Sequence, residues 1–164
     1  MKDSQGQEPQ QRRNWRTASE LPQEVFEVLH KPNRAVNPVV IVATVDPDGT
    51  PRTAPFGSLR AVTSRLLRLI SWRGHDTYKN LCRDGRVIVS VLAPPDIAVS
   101  VRGSARVVRE RMKASEDDAI VEIDVEEVKN DMVRSVVIES TVTISVREEY
   151  VDLFQAALGE MGGN

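Results

Sequence analysis

The feature that most constrains this chain is a series of short β-branched runs separated by turn-forming residues. Residues 39–45 are apolar at nearly every position, which reads as a buried strand. Asp46-Pro47-Asp48-Gly49 supplies a turn, and the chain from Thr50 is expected to return antiparallel. Residues 66–72 and 86–92 are further extended runs, the second broken by Ala93-Pro94-Pro95-Asp96. From Ile97 the pattern alternates, with Ile97, Val99 and Val101 on one face. Gly103 interrupts it and predicts a bulge or a corner before residues 105–108 continue. Residues 119–125 and 136–146 alternate again, the latter with Val136, Ile138, Val142, Ile144 and Val146 on one face. Six or seven sequential strands with frequent turns predict a mainly β, antiparallel barrel or sandwich. The alternating α and β of a doubly wound fold is missing.

Helical spacing marks the periphery. Leu21, Val25, Phe26, Val28 and Leu29 share one face of a helix expected over residues 19–30, with Ser19 as cap and Pro32 as its end. A short helix is expected over 75–82. A last one is expected over 147–158, with Gly159 just past its end. Residues 113–118 turn polar and acidic and read as a short helix or loop. The length favours one domain, over residues 19–159. Residues 1–18, rich in Gln, Arg, Pro and Ser, read as a disordered tail, and 160–164 as a mobile one.

Composition narrows the partners. A formal net charge of −2 leaves no basic footprint for nucleic acid, and 4% aromatic residues argue against base stacking. No apolar run approaches a membrane span, and the N-terminus has no secretory h-region. A single cysteine, Cys82, fits a reducing, cytoplasmic setting.

Side-chain chemistry is sparse. His30 and His75 are far apart and Cys82 has no sequence neighbour able to ligate, so no metal site is expected. His75 and Cys82 on one short helix would stand nearly two turns apart, on the order of 10 Å, so Cys82 reads as a small packed residue. No nucleophile elbow, phosphate loop or dinucleotide fingerprint is present. No catalytic residue is assigned, and redox chemistry here would belong to a cofactor. The stretch 51–91, reading strand, strand, short helix, strand, suits an anion at the helix start.

The order of motifs in that stretch resembles the FMN-binding split-barrel family, the pyridoxamine 5′-phosphate oxidase-like group. The shared pieces are the turn at 46–49, Pro51 and Pro55 spaced as P-x-x-x-P, and Ile70-Ser71 at a strand end. Asn80-Leu81-Cys82-Arg83-Asp84-Gly85-Arg86-Val87 and the V-R-G-x-A-R-V of residues 101–107 are the most specific. The resemblance implies a split barrel working as a homodimer with FMN between subunits and a small-molecule substrate or reduced nicotinamide. It implies that Pro55, Phe56, Gly57 and Ser58 line the isoalloxazine ring and that Arg60 reaches the phosphate. It further implies that Ile70, Ser71 and Trp72 contact the flavin, and that His75, Thr77 and Lys79 surround the phosphate. Where the family reads Ser-Arg-Lys or Ser-x-Lys, this chain reads His75-Asp76-Thr77. The oxidase's arginine-and-histidine set for pyridoxal phosphate is missing as well, which argues against that particular activity. An F420-dependent reductase, and a non-catalytic module binding flavin or haem, are the other readings the resemblance allows.

Overall fold

Eight antiparallel strands and three helices make up the computed structural model, which describes residues 15–163. The strands are β1 (Thr17–Ala18), β2 (Val40–Val45), β3 (Pro51–Phe56), β4 (Arg60–Thr63), β5 (Leu66–Trp72), β6 (Arg86–Ala93), β7 (Ile97–Arg109) and β8 (Asp118–Asn130). The helices are α1 (Gln23–Leu29), α2 (Asp76–Arg83) and α3 (Val151–Gly162). The sheet order is β3-β2-β6-β7-β8-β5-β4, with β1 paired to β8. β3 and β4 are the two edges and are consecutive in the chain, so the sheet curls into a barrel split between them. The expected split β-barrel with peripheral helices is the observed fold, with short β1 and β4 as additions.

Local chemistry sets the corners. Gly49 adopts φ 88°, the left-handed conformation the 46–49 turn requires, and Val45 pairs with Pro51 across it. At Gly103 the β7–β8 register shifts, which is the expected bulge. A Cβ there would stand 2.4 Å from the Asp124 carbonyl oxygen. Inside, Val40, Val42, Leu67, Leu69, Val89, Val101 and Ile123 form a continuous core. Each such side chain contributes about 1.5–3 kcal/mol by leaving water. α1 closes one end with Val25 and Leu29, joined by Leu21 just before the helix. α3 lies on the outer side, where Leu158 and Met161 pack with Met112 and Ile120. Arg68 holds its C-terminal end, donating to the Met161 carbonyl at 2.8 Å and to Glu122 at 2.6 Å.

Several expectations change. α1 starts at Gln23 rather than near Ser19, because Pro22 is extended (ψ 152°) at the helix entrance. Thr17 and Ala18, which the expected tail over 1–18 included, pair with β8 instead; residues 1–14 lie outside the described residues. Likewise α3 runs through Gly159 to Gly162, so residues 160–162 are helical and only Asn164 lies outside the description. Residues 113–118 form turns and the start of β8. Residues 136–146 join no sheet despite their alternation. In the single chain β2 and β6 bury their inner face and leave the outer one open. Ile41, Ile88 and Leu92 on the outer face are 39%, 44% and 46% exposed. Cys82 is exposed rather than packed. No described helix is long and apolar enough to cross a membrane.

Candidate functional site

The end of β3, the end of β5 and the start of α2 converge at one rim of the barrel. Phe56, the last residue of β3, meets the His75 ring edge-on at 6.4 Å between centroids. His75 follows the turn after β5, and its backbone N–H donates to the Trp72 carbonyl at 3.0 Å. The indole of Trp72 lies over Gly74, where a Cβ would come within 2.5 Å of the ring. Trp72 itself is exposed.

The first turn of α2 is capped by His75. Its Nδ1 accepts from the Thr77 backbone N–H at 3.3 Å and lies 3.0 Å from Thr77 Oγ1. Accepting both requires the tautomer with the proton on Nε2. Thr77 is buried and Lys79 is exposed on the next turn. Asn80 ties the helix to the β2–β3 hairpin, donating to Thr44 Oγ1 at 3.0 Å and Asp46 Oδ1 at 2.8 Å. Arg83 adds a bond to the Val45 carbonyl. Hydrogen bonds from Arg52, then from Asn80, hold the Asp46 carboxyl below the usual carboxylate range. Arg52 also lies 3.9 Å from Asp76, partly balancing the acidic charge at the helix start.

Two donors here have no partner. Ser71 is 1% exposed and its Oγ makes no hydrogen bond; Arg73 Nε is buried and equally unmet. By strand alternation Ser71 shares the inner face with Leu67 and Leu69. Leaving such a group unpaired in the interior costs about 1–3 kcal/mol. The two flank Trp72 in sequence and lie within five residues of the start of α2.

The remaining expected site residues sit at the β3–β4 corner. Pro55 is exposed on β3, opposite Ile41. Ser58 is buried, and its hydroxyl accepts from the Ile70 N–H at 3.1 Å and donates to the Ile70 carbonyl at 3.2 Å. Ile70 itself packs toward α3 in the second core cluster. Arg60 departs from its expected role. It is 5% exposed, and its guanidinium donates to the carbonyls of Ser58, Pro32, Asn33 and Ala35 at 3.2–3.3 Å. Every arm of the fork is engaged with backbone, so Arg60 clips residues 32–35 to the barrel instead of facing the rim.

Beside it lies a cation that sequence reading missed. Lys31 is 8% exposed and donates to the carbonyls of Gly57 at 2.9 Å and Pro38 at 3.1 Å. A lysine just after a helix carries no sequence signal for such burial. Desolvation, then repulsion from Arg60, lowers its pKa from 10.5 to about 8. Between those values the unfolded chain binds more protons than the folded one, so this group makes stability rise with pH from about 8 toward 10.5. Urea unfolding at pH 8 and pH 10 is expected to show that rise, and Lys31→Met to remove it; equal slopes in both proteins would refute the assignment.

Among the described residues no cluster of His, Cys, Asp and Glu is placed to hold a metal. A sequence profile described as pyridoxamine 5′-phosphate oxidase matches residues 21–144. A candidate pyridoxamine 5′-phosphate oxidase from Lactobacillus delbrueckii shares the fold at TM-score 0.56 and 22% identity, over 70% of this chain and 98% of that one. An F420 reductase matches at 0.55 and 17%, over 68% and 100%. An FMN-binding protein from Syntrophomonas wolfei matches at 0.51 and 14%, over 68% and 90%. Among curated proteins, none matches the sequence.

Proposed function

The chain belongs to the pyridoxamine 5′-phosphate oxidase family, and on that premise we propose that it binds FMN at the rim between β3, β5 and α2 and acts as a flavoprotein oxidoreductase on a small molecule or reduced nicotinamide. The observation that carries this reading is the pair of unmet buried donors, Ser71 Oγ and Arg73 Nε, on the chain that leads from β5 into α2. They fit a phosphate: both are donors, and the α2 N-terminus adds its partial positive charge. Lys79 adds a mobile cation in place of the lysine that Thr77 lacks. His75 holds the first helical turn closed, and Thr77 acts through His75 rather than on the ligand. Trp72 and Phe56 offer ring faces to the isoalloxazine, with Pro55 and the Gly57–Ser58 backbone along its edge.

Bound FMN would supply hydride exchange at its N5. The chain's own part is orientation: Arg60 and Lys31 hold the corner that carries Gly57 and Ser58, and Trp72 limits access of water from one side. Two copies are proposed to associate through the outer face of β2 and β6, covering Ile41, Ile88 and Leu92. A reducing, cytoplasmic setting suits the exposed Cys82.

A second reading is a module that binds a cofactor without turnover; Asp76 at the helix start, which opposes a phosphate dianion, bears on FMN affinity in both readings. Anaerobic addition of NADH or NADPH to the FMN-loaded protein separates the two. Bleaching of the flavin bands supports the oxidoreductase; a loaded protein that neither nicotinamide nor F420H2 reduces leaves binding alone.

A further inference from the structure

Residues 136–146 read V-V-I-E-S-T-V-T-I-S-V, a strongly β-forming alternation, yet they belong to no sheet of their own chain. They run without turn or bend along the outside of the barrel. Ser140, Thr141 and Val142 border a groove of about 570 Å³ with Ile41, Pro55 and Leu92. Val137 and Val142 are 69% and 71% exposed.

The backbone contacts of this segment have a parity. Ile138 N–H donates to the Pro95 carbonyl at 2.8 Å. Ile144 N–H donates to Asn37 Oδ1 at 2.9 Å, and its carbonyl accepts from Asn37 Nδ2 at 2.8 Å. Both residues are even-numbered. In an extended strand the N–H and C=O of one residue point the same way and those of the next point oppositely. The even edge is therefore held against the chain's own barrel. The odd edge, at 137, 139, 141, 143 and 145, makes no backbone hydrogen bond among the described residues.

We propose that residues 136–146 pair antiparallel with the same segment of a second copy, about a two-fold axis at Thr141. That register uses the free odd edge: 141 exchanges bonds with 141, 139 with 143, and 137 with 145. It is also self-complementary in side chains. Val136 faces Val146 and Ile138 faces Ile144, while Glu139 meets Thr143 rather than another Glu139. Centring the axis on 139 would set the two glutamates directly opposite. An isologous contact of this kind closes after two copies. The proposal rests on the two-copy part of the reading above and not on the flavin.

The test uses the full chain. Amide exchange by NMR is expected to be slow at 137, 139, 141, 143 and 145 in the dimer, and to lose that protection on dilution. Thr141→Pro removes the donor at the axis without touching an in-chain bond, and is expected to halve the mass seen by light scattering. Thr141→Glu sets two carboxylates across the axis and is expected to do the same at neutral pH, with the dimer restored in acid. A dimer whose odd amides exchange freely, or which survives both substitutions, would overturn the strand pairing alone. A monomer at every concentration would overturn the two-copy reading with it.

Discussion

Arg60→Met is expected to lower the stability of the chain by at least about 3 kcal/mol. The guanidinium serves four backbone carbonyls from two segments distant in sequence, and methionine would fill the volume while leaving those acceptors bare. Residues 32–35 would lose their attachment to β4. They also meet the end of α3, where Asn33 Oδ1 lies 2.7 Å from a Cβ built on Gly162, so loosening is expected to spread there. Denaturant unfolding measures the loss. Arg60→Lys separates the clip from a phosphate ligand. A lysine keeps the charge but cannot reach four acceptors in a plane, so it should restore little stability. Full stability in both variants, with weakened FMN binding, would return Arg60 to the phosphate.

The second large effect splits in sign. Ser71→Ala removes a buried hydroxyl that has no partner, so the free protein is expected to gain about 1 kcal/mol. The same change removes a donor from the proposed phosphate, so FMN affinity is expected to fall about tenfold, or about 1.4 kcal/mol. Greater stability together with weaker binding is the mark of a group held unsatisfied for a ligand. A variant that loses stability and keeps its affinity would make Ser71 an ordinary core residue.

What the sequence made legible was the part governed by local pattern. The hairpin at 46–49, the bulge at Gly103 and the alternation of β7 and β8 follow from period and turn chemistry, which act within a few residues. The motif order from Pro51 to Val107 then carried the family. The candidate site was legible as a region, since Phe56, Ser71, Trp72, His75 and Thr77 do converge. Their individual roles were not. Whether Arg60 faces a ligand or four backbone carbonyls depends on where residues 31–38 fold back, a contact almost thirty positions away that no spacing encodes. The strand expected at 136–146 failed for a different reason. Its local propensity is strong, but within the single chain it pairs with neither open edge of the sheet, β3 or β4.

The most direct test of the account is a titration of the purified, flavin-free protein with FMN, following tryptophan fluorescence in a Trp15→Phe background so that Trp72 alone reports. The account predicts saturable quenching at one FMN per chain, weakened by Ser71→Ala. Fluorescence that does not change as FMN is added, with the fold intact by circular dichroism, would contradict it.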